Sequence, residues 1–416
     1  MKRSNIKELQ SAFKKLKYYN GPIDGLHGPS TSDAIARFQK DCGLIPSGFV
    51  NTDTYNFLHD ILIGYHIHRI GPGDAIPALA AKYNTTVKKI LTANPGLNFH
   101  RLKAGQELVI PYGFDLVDTD ADYTYEIMER DIEGLKKRYP FIESGSAGRS
   151  VLGRNLYYIK LGRGPKNIFY NGAHHSLEWI TALLLMKFAE NFLKCCCEGR
   201  HIRGFNPYSI WNRSSIYIIP MVNPDGVDLA INGLAPDNPY YERLMVWNNE
   251  NPDFSSGWQS NIRGVDLNHN YPARWLNSKD CEALHNINGP GPTRYSGLYP
   301  LSEPETLSVA NFTRSHDFRL AIAYHSQGRE IYWDFENMAP PEAKRIGERF
   351  SMASGYRLAH SCGMAAYAGY KDWFIKEYRK PAYTIEVGSG TNPLPVSQFD
   401  SIYEENLEIL LLAATV

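Results

Sequence analysis

Hydrophobic positions at the start of the chain follow the spacing of short amphipathic helices. In the first of these helices, the apolar positions are Ile6, Leu9, Phe13 and Leu16. Two further helices are predicted over residues 31–40 and 52–62, and the segment between the first two is rich in glycine and proline. The pattern therefore predicts a small helical domain over residues 1–62.

In the next segment, residues 63–113, the spacing of hydrophobic positions alternates between the pattern of a strand and that of a helix. Tyr65-His66-Ile67-His68 alternates like the start of a strand, and two short helical patterns follow it, the second ending at Asn94-Pro95. The segment closes on an apolar run that ends at Pro111. We expect two short strands with two helices between them.

The remaining residues, 114–416, begin with an acidic linker and an amphipathic helix over 125–139. Strand-like runs then alternate with helical runs. The strand-like runs are 156–161, 167–171, 216–222, 319–324 and 382–387. The longest helical runs are 179–193, 303–314 and 341–354. This alternation predicts an α/β domain with a largely buried sheet.

Composition and charge exclude only a few classes of protein. The chain has 416 residues, 43% of them hydrophobic, with 44 basic and 44 acidic side chains. This excludes a disordered chain and argues against a protein that wraps nucleic acid, which would be basic. The balance hides a gradient, because residues 1–113 carry +6 and residues 114–416 carry −6. Ordinary scatter explains such a split as well as function does.

The cysteines and the apolar runs of the chain indicate the cellular compartment of the protein. Three of the six cysteines are consecutive (Cys195, Cys196, Cys197), which suits neither a disulfide ladder nor a CxxC zinc site. Reduced thiols are the simpler interpretation. The start of the chain lacks the apolar run of a signal peptide, and no apolar stretch is long enough to span a membrane. The expectation is a cytoplasmic protein.

One short motif suggests metal chemistry. His175 and Glu178 stand three residues apart, directly after the predicted strand 167–171, and could face one metal ion from a tight turn. Alone the motif is weak, because one H-x-x-E among 13 histidines is about what chance gives. A structural histidine is the alternative.

The two N-terminal segments resemble bacterial wall-binding modules. Residues 1–62 resemble the three-helix peptidoglycan-binding module, which they match at Leu9-Gln10, Ile23-Asp24-Gly25, Gly28, Thr31, Phe38-Gln39 and Gly43-Leu44. Residues 63–113 resemble a LysM module through Gly73-Asp74, Asn94-Pro95 and the string from Gly105 to Pro111. These resemblances imply that peptidoglycan glycan is a partner.

Residues 114–416 resemble the zinc metallocarboxypeptidases. The matching strings occur in the family's order: His175-x-x-Glu178, Asn223-Pro224-Asp225-Gly226, Gly264-Val265-Asp266-Leu267-Asn268, Tyr324-His325-Ser326 and Tyr383-Thr384-Ile385-Glu386. The resemblance implies a mixed, mostly parallel eight-stranded sheet flanked by helices. It also implies one Zn²⁺ per chain, bound by His175, Glu178 and His325, with Glu386 as general base. A salt bridge on an edge strand is the alternative for Glu386, and its spacing from Asp372-Trp373 favours catalysis.

The chain departs from the family where a substrate carboxylate would bind. Asn268 is followed by His269 instead of an arginine, which puts simple carboxypeptidase activity in doubt. Gln259 stands at the position of the arginine that stabilises the oxyanion, and Arg263 is a displaced candidate for that role. Tyr367 is the nearest candidate for the phenol that covers the substrate, or a packing residue.

Lys371 precedes Asp372, at the position that governs specificity in the family. A cation there would suit an acidic group of the substrate, and a solvent-exposed lysine is the alternative. Asn268, His269 and Lys371 are thus the candidate substrate-binding residues.

A narrower resemblance is to the bacterial γ-D-glutamyl-meso-diaminopimelate endopeptidases, which join wall-binding modules to such a domain. It is carried by residues 368–375 and 388–395. It implies hydrolysis of the γ-D-glutamyl–diaminopimelate bond of peptidoglycan stem peptides. Relatives of this branch are associated with sporulation, which would bring the protein to wall material. The alternatives are a conventional carboxypeptidase on ordinary peptides and an inactive wall-binding protein.

Overall fold

The structure is a computed structural model that describes residues 3–98 and 101–416. The chain divides into two units. The first comprises the chain up to Asp122 together with Glu126–Glu143, and the second comprises Tyr123–Tyr125 and Ser144–Val416.

The first unit begins with three helices. They are α1 (Arg3–Lys15), α2 (Pro29–Asp41) and α3 (Thr52–Ile63). The apolar side chains that the periodicity selected, among them Leu9, Phe13 and Phe38, form their shared core. Two buried amides hold the loops, because the Gln10 and Gln39 side chains accept hydrogen bonds from the backbone N–H groups of Gly25 (2.9 Å) and Gly48 (3.0 Å).

The rest of the first unit contains a two-stranded antiparallel sheet with two short helices. The elements are β1 (Tyr65–Arg69), α4 (Ile76–Lys82), α5 (Val87–Ala93) and β2 (Glu107–Pro111). Asn94 ties α5 to β2, since its side chain donates to Val109 O (2.7 Å) and accepts from Val109 N (3.0 Å). The longer helix α6 (Tyr125–Arg138) follows. The predicted strand–helix–helix–strand order is confirmed.

In the second unit, eight strands of the described chain form one mixed sheet, in the order β3-β4-β6-β5-β7-β10-β8-β9. The strands are β3 (Glu143–Arg149), β4 (Asn155–Gly162), β5 (Lys166–Gly172), β6 (Ser214–Ile219), β7 (Phe318–Ser326), β8 (Glu330–Tyr332), β9 (Arg357–Ala359) and β10 (Ala382–Val387). Strands β6, β5, β7 and β10 run parallel to one another, while β4 and β8 are antiparallel to their neighbours β6 and β10. The predicted fold class is confirmed.

Helices lie between these strands and after the last of them. They are α7 (Ile180–Glu198), α8 (Pro207–Arg213), α9 (Pro224–Asn232), α10 (Tyr241–Trp247), α11 (Trp275–Leu284), α12 (Pro304–Arg314), α13 (Pro341–Ser354), α14 (Tyr370–Tyr378) and α15 (Phe399–Ala413). In the described chain, no helix has the length and apolar character that crossing a membrane requires.

The observed strands differ from the predicted runs at their ends. The run predicted over 216–222 is a strand only as far as Ile219, because Pro220 has no N–H to donate to a neighbouring strand. The central strands β5, β6 and β7 are buried over most of their length, as expected of parallel strands with both faces covered. Because β5, β7 and β10 are parallel, their carboxyl ends meet at one edge of the sheet, and residues just beyond them converge there.

Candidate active site

Three side chains that could hold a metal ion meet at this edge of the sheet. His175 follows β5 and begins a single 3₁₀ turn, Ser176–Glu178, which places Glu178 beside it. His325 lies at the end of β7. The ligand atoms of His175, Glu178 and His325 all lie within 4.8 Å of one another. The fold therefore brings together residues that are 147 positions apart in the sequence.

The donor set fits a divalent metal ion of the zinc type. His175 Nδ1 lies 2.8 Å from Glu178 Oε1, and His325 Nδ1 lies 2.9 Å from Glu178 Oε2. The two Nδ1 atoms are only 3.3 Å apart, so both rings face the same point. Two histidines and one carboxylate leave a coordination position open, which is typical of catalytic zinc and not of structural zinc.

A second carboxylate orients the first histidine. Asp266 Oδ1 lies 3.1 Å from His175 Nε2, so a proton on that nitrogen leaves Nδ1 free to face the cluster. Asp266 is held in turn by the backbone N–H groups of Asn268 (3.2 Å) and Arg294 (2.9 Å). Burial alone would raise the pKa of Asp266, but the His175 and His269 rings, together with the hydrogen bonds to His175 and from Arg294 N, lower it. Asp266 is therefore a fixed, buried anion behind the cluster.

The charges in the cluster influence one another strongly. Burial by itself would raise the pKa of Glu178, but the facing rings of His175 and His325 outweigh it and lower that pKa to about 2. Glu178 is thus an ionised carboxylate across the neutral pH range, which is the protonation state that a metal ligand requires.

Glu386 stands next to this group. It lies on β10 opposite His325 of β7, in a parallel register, so the two side chains emerge from neighbouring strands at one level. Burial, and then the negative charge of Glu178, raise the pKa of the Glu386 carboxyl well above its usual range. Glu386 lines the same cleft as His175 and Glu178.

This cleft has a volume of about 470 Å³. Its polar walls come from several loops and from β8. Besides the residues already described, they include Gln259, Ser326, Gln327, Tyr332, Thr391 and Asn392. None of the described residues that line it is a lysine or an arginine.

The two cationic side chains among the predicted site residues, Arg263 and Lys371, bind protein groups that do not line the cleft. The Arg263 guanidinium donates to Tyr240 Oη (3.3 Å) and lies 3.8 Å from Glu303, and Arg263 does not line the cleft. Lys371 is buried instead of exposed, and its ammonium donates to Asp334 O (2.7 Å) and forms an ion pair with Asp372.

The other candidate residues for binding substrate form a neighbouring loop contact. His269 Nδ1 lies 3.2 Å from Tyr367 O, and the Asn268 side chain accepts a hydrogen bond from Tyr370 N (3.0 Å). None of Asn268, His269 and Tyr367 lines the cleft. In this structure they hold the loop that precedes α14.

Sequence reasoning assigned no role to several residues of the cleft, among them Tyr332 and Asn392. Tyr332 lies on β8 and reaches the cleft because β8 pairs with β10, a pairing for which the sequence carries no signal. Asn392 donates to Ser326 O (2.6 Å), so it joins the loop after β10 to the end of β7. The resemblance over residues 388–395 could have pointed to Asn392.

A two-histidine, one-carboxylate cluster beside a further carboxylate, at the carboxyl edge of a mixed sheet, defines a metallohydrolase site. Residues 128–409 match the zinc carboxypeptidase family, residues 2–58 a peptidoglycan binding domain and residues 68–111 a LysM domain. The chain belongs to the zinc carboxypeptidase family, and it is a zinc metallopeptidase.

Individual relatives agree with this assignment. The chain is 44% identical to gamma-D-glutamyl-L-diamino acid endopeptidase 1 of Lysinibacillus sphaericus over 71% of this chain and 73% of that protein. It is 34% identical to the protein YqgT of Bacillus subtilis (strain 168) over 71% and 77% of the two chains. Bovine thrombin-activatable fibrinolysis inhibitor shares the fold, with a TM-score of 0.55 and 19% identity over 71% of this chain and 97% of that one.

Proposed function

We propose that the protein hydrolyses the γ-D-glutamyl–diamino acid bond of peptidoglycan stem peptides. The observation that carries this proposal is the convergence of His175, Glu178, His325 and Glu386 on one cleft, in a chain that also bears two wall-binding modules. The relative from Lysinibacillus sphaericus, whose name describes this activity, supports the choice of bond.

The proposed site holds one Zn²⁺ per chain, with His175, Glu178 and His325 as ligands. The ion supplies a Lewis acid that polarises the scissile carbonyl and makes water a stronger nucleophile at neutral pH. Asp266 fixes the ring of His175 through its Nε2. This arrangement keeps the ligand nitrogens facing the cleft before substrate arrives.

Glu386 is the proposed general base. It accepts a proton from the attacking water while the water oxygen bonds to the carbonyl carbon. The same proton then passes to the leaving nitrogen as the C–N bond breaks, which yields a free carboxylate and a free amine. Its place on β10 opposite His325, in the same cleft as His175 and Glu178, suits a group that holds this proton between the two steps.

The polarity of the cleft favours the stem-peptide bond over the C-terminal bond of an ordinary peptide. A conventional carboxypeptidase needs a cation, best an arginine, to bind the terminal carboxylate. No described lining residue is a lysine or an arginine, and Arg263 and Lys371 are bound to other groups. We therefore rank carboxypeptidase activity second.

The remaining parts of the proposal concern organisation and place. Residues 1–62 and 63–113 would bind glycan, and residues 114–416 would carry out hydrolysis. We propose that the protein is made in the cytoplasm and meets wall material during sporulation. The matches to the peptidoglycan binding and LysM domains support contact with wall polymer.

The deciding experiment uses defined peptides and mass spectrometry. Purified protein supplied with zinc should cut L-Ala-γ-D-Glu-meso-diaminopimelate between the second and third residues. A peptide with lysine as the diamino acid, assayed in parallel, would establish which diamino acid is preferred. Intact stem peptides together with release of C-terminal residues from ordinary peptides would reject the proposal in favour of a carboxypeptidase. Loss of all cleavage on adding a chelator would exclude an inactive wall-binding protein.

A further inference from the structure

Gln259 is fixed to the turn that carries two of the proposed zinc ligands. Its carbonyl oxygen accepts a hydrogen bond from Ser176 N (3.1 Å), between His175 and Glu178, and its own N–H donates to Pro292 O (2.7 Å). The hydroxyl of Ser176 also donates to Trp258 O, one residue before Gln259. The backbone at Gln259 therefore has little freedom relative to His175 and Glu178.

The side chain of Gln259 is held as well. Thr293 Oγ1 donates to Gln259 Oε1 at 3.0 Å. The carboxylate of Asp266 lies 3.4 Å from the same hydroxyl, which is longer than the usual O–H···O distance, so Gln259 Oε1 is the nearer acceptor of the two. This bond uses the amide oxygen and turns the amide nitrogen, with its two N–H donors, away from Thr293.

The amide nitrogen of Gln259 has no acceptor among the described residues of the chain. Gln259 is half-buried and lines the cleft together with His175, Glu178 and Glu386. It thus offers a neutral hydrogen-bond donor with a fixed position and no protein partner, in a cleft whose described lining has no lysine or arginine.

The cleft has two other side-chain amides, Asn392 and Gln327, and neither has both a fixed position and a donor that lacks a partner among the described residues. Asn392 Nδ2 donates to Ser326 O (2.6 Å) and lies 3.4 Å from Glu178 Oε1, so its donors are engaged. Gln327 is exposed, and no side-chain hydrogen bond to it is present in the described part of the chain. A donor that must reorganise during the reaction contributes less than one already in position.

We propose that Gln259 Nε2 donates a hydrogen bond to the carbonyl oxygen of the scissile bond as negative charge develops on it. The charge grows when the water oxygen bonds to the carbonyl carbon, and it is lost when the C–N bond breaks. Because the donor is neutral, it adds to the stabilisation of the developing charge although no lysine or arginine is among the described lining residues. The inference rests on the proposed peptide hydrolysis but not on the identity of the bond that is cut.

The test compares variants that keep or remove the donor. Gln259→Met has nearly the same shape and no N–H, and we expect kcat to fall about 100-fold with KM changed only a few-fold. Gln259→Arg also replaces the glutamine but keeps N–H donors at this position, so this variant should retain a large part of the wild-type kcat. Thr293→Val removes the anchor alone and should cause a smaller loss. Asn311→Leu, which removes an exposed amide on α12, is the matched control and should leave kcat unchanged.

Zinc content and melting temperature are measured for each variant, so that a structural effect is recognised. The proposal is overturned if Gln259→Met keeps its kcat, if only KM rises, or if kcat falls in proportion to bound zinc. The assay uses whichever peptide the wild-type protein cleaves. If that is an ordinary peptide and not a stem peptide, the proposed bond is wrong, while the role of Gln259 is still tested.

Discussion

Glu305 shows how a buried position changes the chemistry of a single side chain. It lies fully buried on α12, where its carboxylate accepts hydrogen bonds from Val151 N (3.0 Å) and from the Asn261 amide (3.3 Å). Burial, and next the negative charge of Asp225, raise the pKa of Glu305 from 4.5 to about 8. The folded chain therefore keeps a proton at neutral pH that the unfolded chain has lost.

This proton makes the stability of the second unit depend on pH. Between about pH 4.5 and pH 8 the unfolded chain releases the proton while the folded chain retains it, so the free energy of unfolding falls, by up to about 5 kcal/mol. Glu305→Gln cannot ionise, so its stability relative to wild type should rise across this window and level off above pH 8. Urea unfolding at several pH values measures the trend. A constant difference would contradict the prediction, and Glu348→Gln, exposed on α13, serves as the control.

A substitution of Glu386 tests the proposed catalytic role of a single residue. Glu386→Gln keeps the shape of the side chain but cannot accept the proton of the attacking water, so we expect turnover to fall by about 100-fold to 10,000-fold with bound zinc unchanged. Peptide hydrolysis and metal analysis on the same preparation measure the two effects. Activity that persists in the variant would remove Glu386 from its proposed role.

At the scale of elements, α6 lies almost wholly within the first unit, and Arg138 is one of the residues that join it to the rest of that unit. Arg138 is 5% exposed and donates through Nη2 (2.7 Å) and Nε (3.1 Å) to Gly64 O, at the end of α3. Its Nη1 also donates to Phe114 O (3.0 Å). One guanidinium thus joins α6 to two loops that flank the two-stranded sheet.

Removing this guanidinium should weaken the first unit. Arg138→Met leaves the carbonyls of Gly64 and of the half-buried Phe114 without those donors, so we expect the first unit to lose about 2–3 kcal/mol of stability. Calorimetry of the full chain, with hydrolysis of a soluble peptide assayed beside it, separates this effect from catalysis. Arg69→Met, whose guanidinium is exposed on β1, should cost far less, and equal losses in the two variants would contradict the argument.

At the scale of the whole molecule, the charge balance is the sum of two opposite parts. Residues 1–113, which contain the matches to the peptidoglycan binding and LysM domains, carry +6, and residues 114–416 carry −6. A basic anchoring segment would be attracted weakly to anionic wall polymer, and glycan contacts would supply the specificity. The more consequential effect is tethering, because a bound module raises the local concentration of the peptidase on its polymer.

Removal of residues 1–113 should therefore reduce digestion of intact sacculi about tenfold or more, while hydrolysis of soluble stem peptides changes little. Release of peptide from sacculi and cleavage of a soluble peptide are the two measurements. Glycan strands without peptides, added to the full chain, should slow the first reaction and not the second. Parallel losses on both substrates would show that the modules do not act as anchors.

Sequence patterns predicted some elements over their observed ranges and missed others. Helix α13 was predicted over its observed range, and the strand at 382–387 coincides with β10, because each shows a clear periodicity between glycine or proline signals. The short strands β8 and β9 were not predicted, since three residues are too few to show a period. The cleft wall at Tyr332 was missed with them.

The sequence by itself determined the alternation of elements that predicts the α/β domain, because this depends on local periodicity. Strings of neighbouring residues carried the resemblances that implied the order of the modules and the three metal-binding candidates. Only the tertiary structure showed that Lys371 is buried in an ion pair, that Arg263 lies outside the cleft and that Gln259 lies inside it. The physical reason is that the partner of a side chain is chosen by packing across strands and loops. Gln259 and Ser176 are 83 residues apart, and nothing local in the sequence joins them.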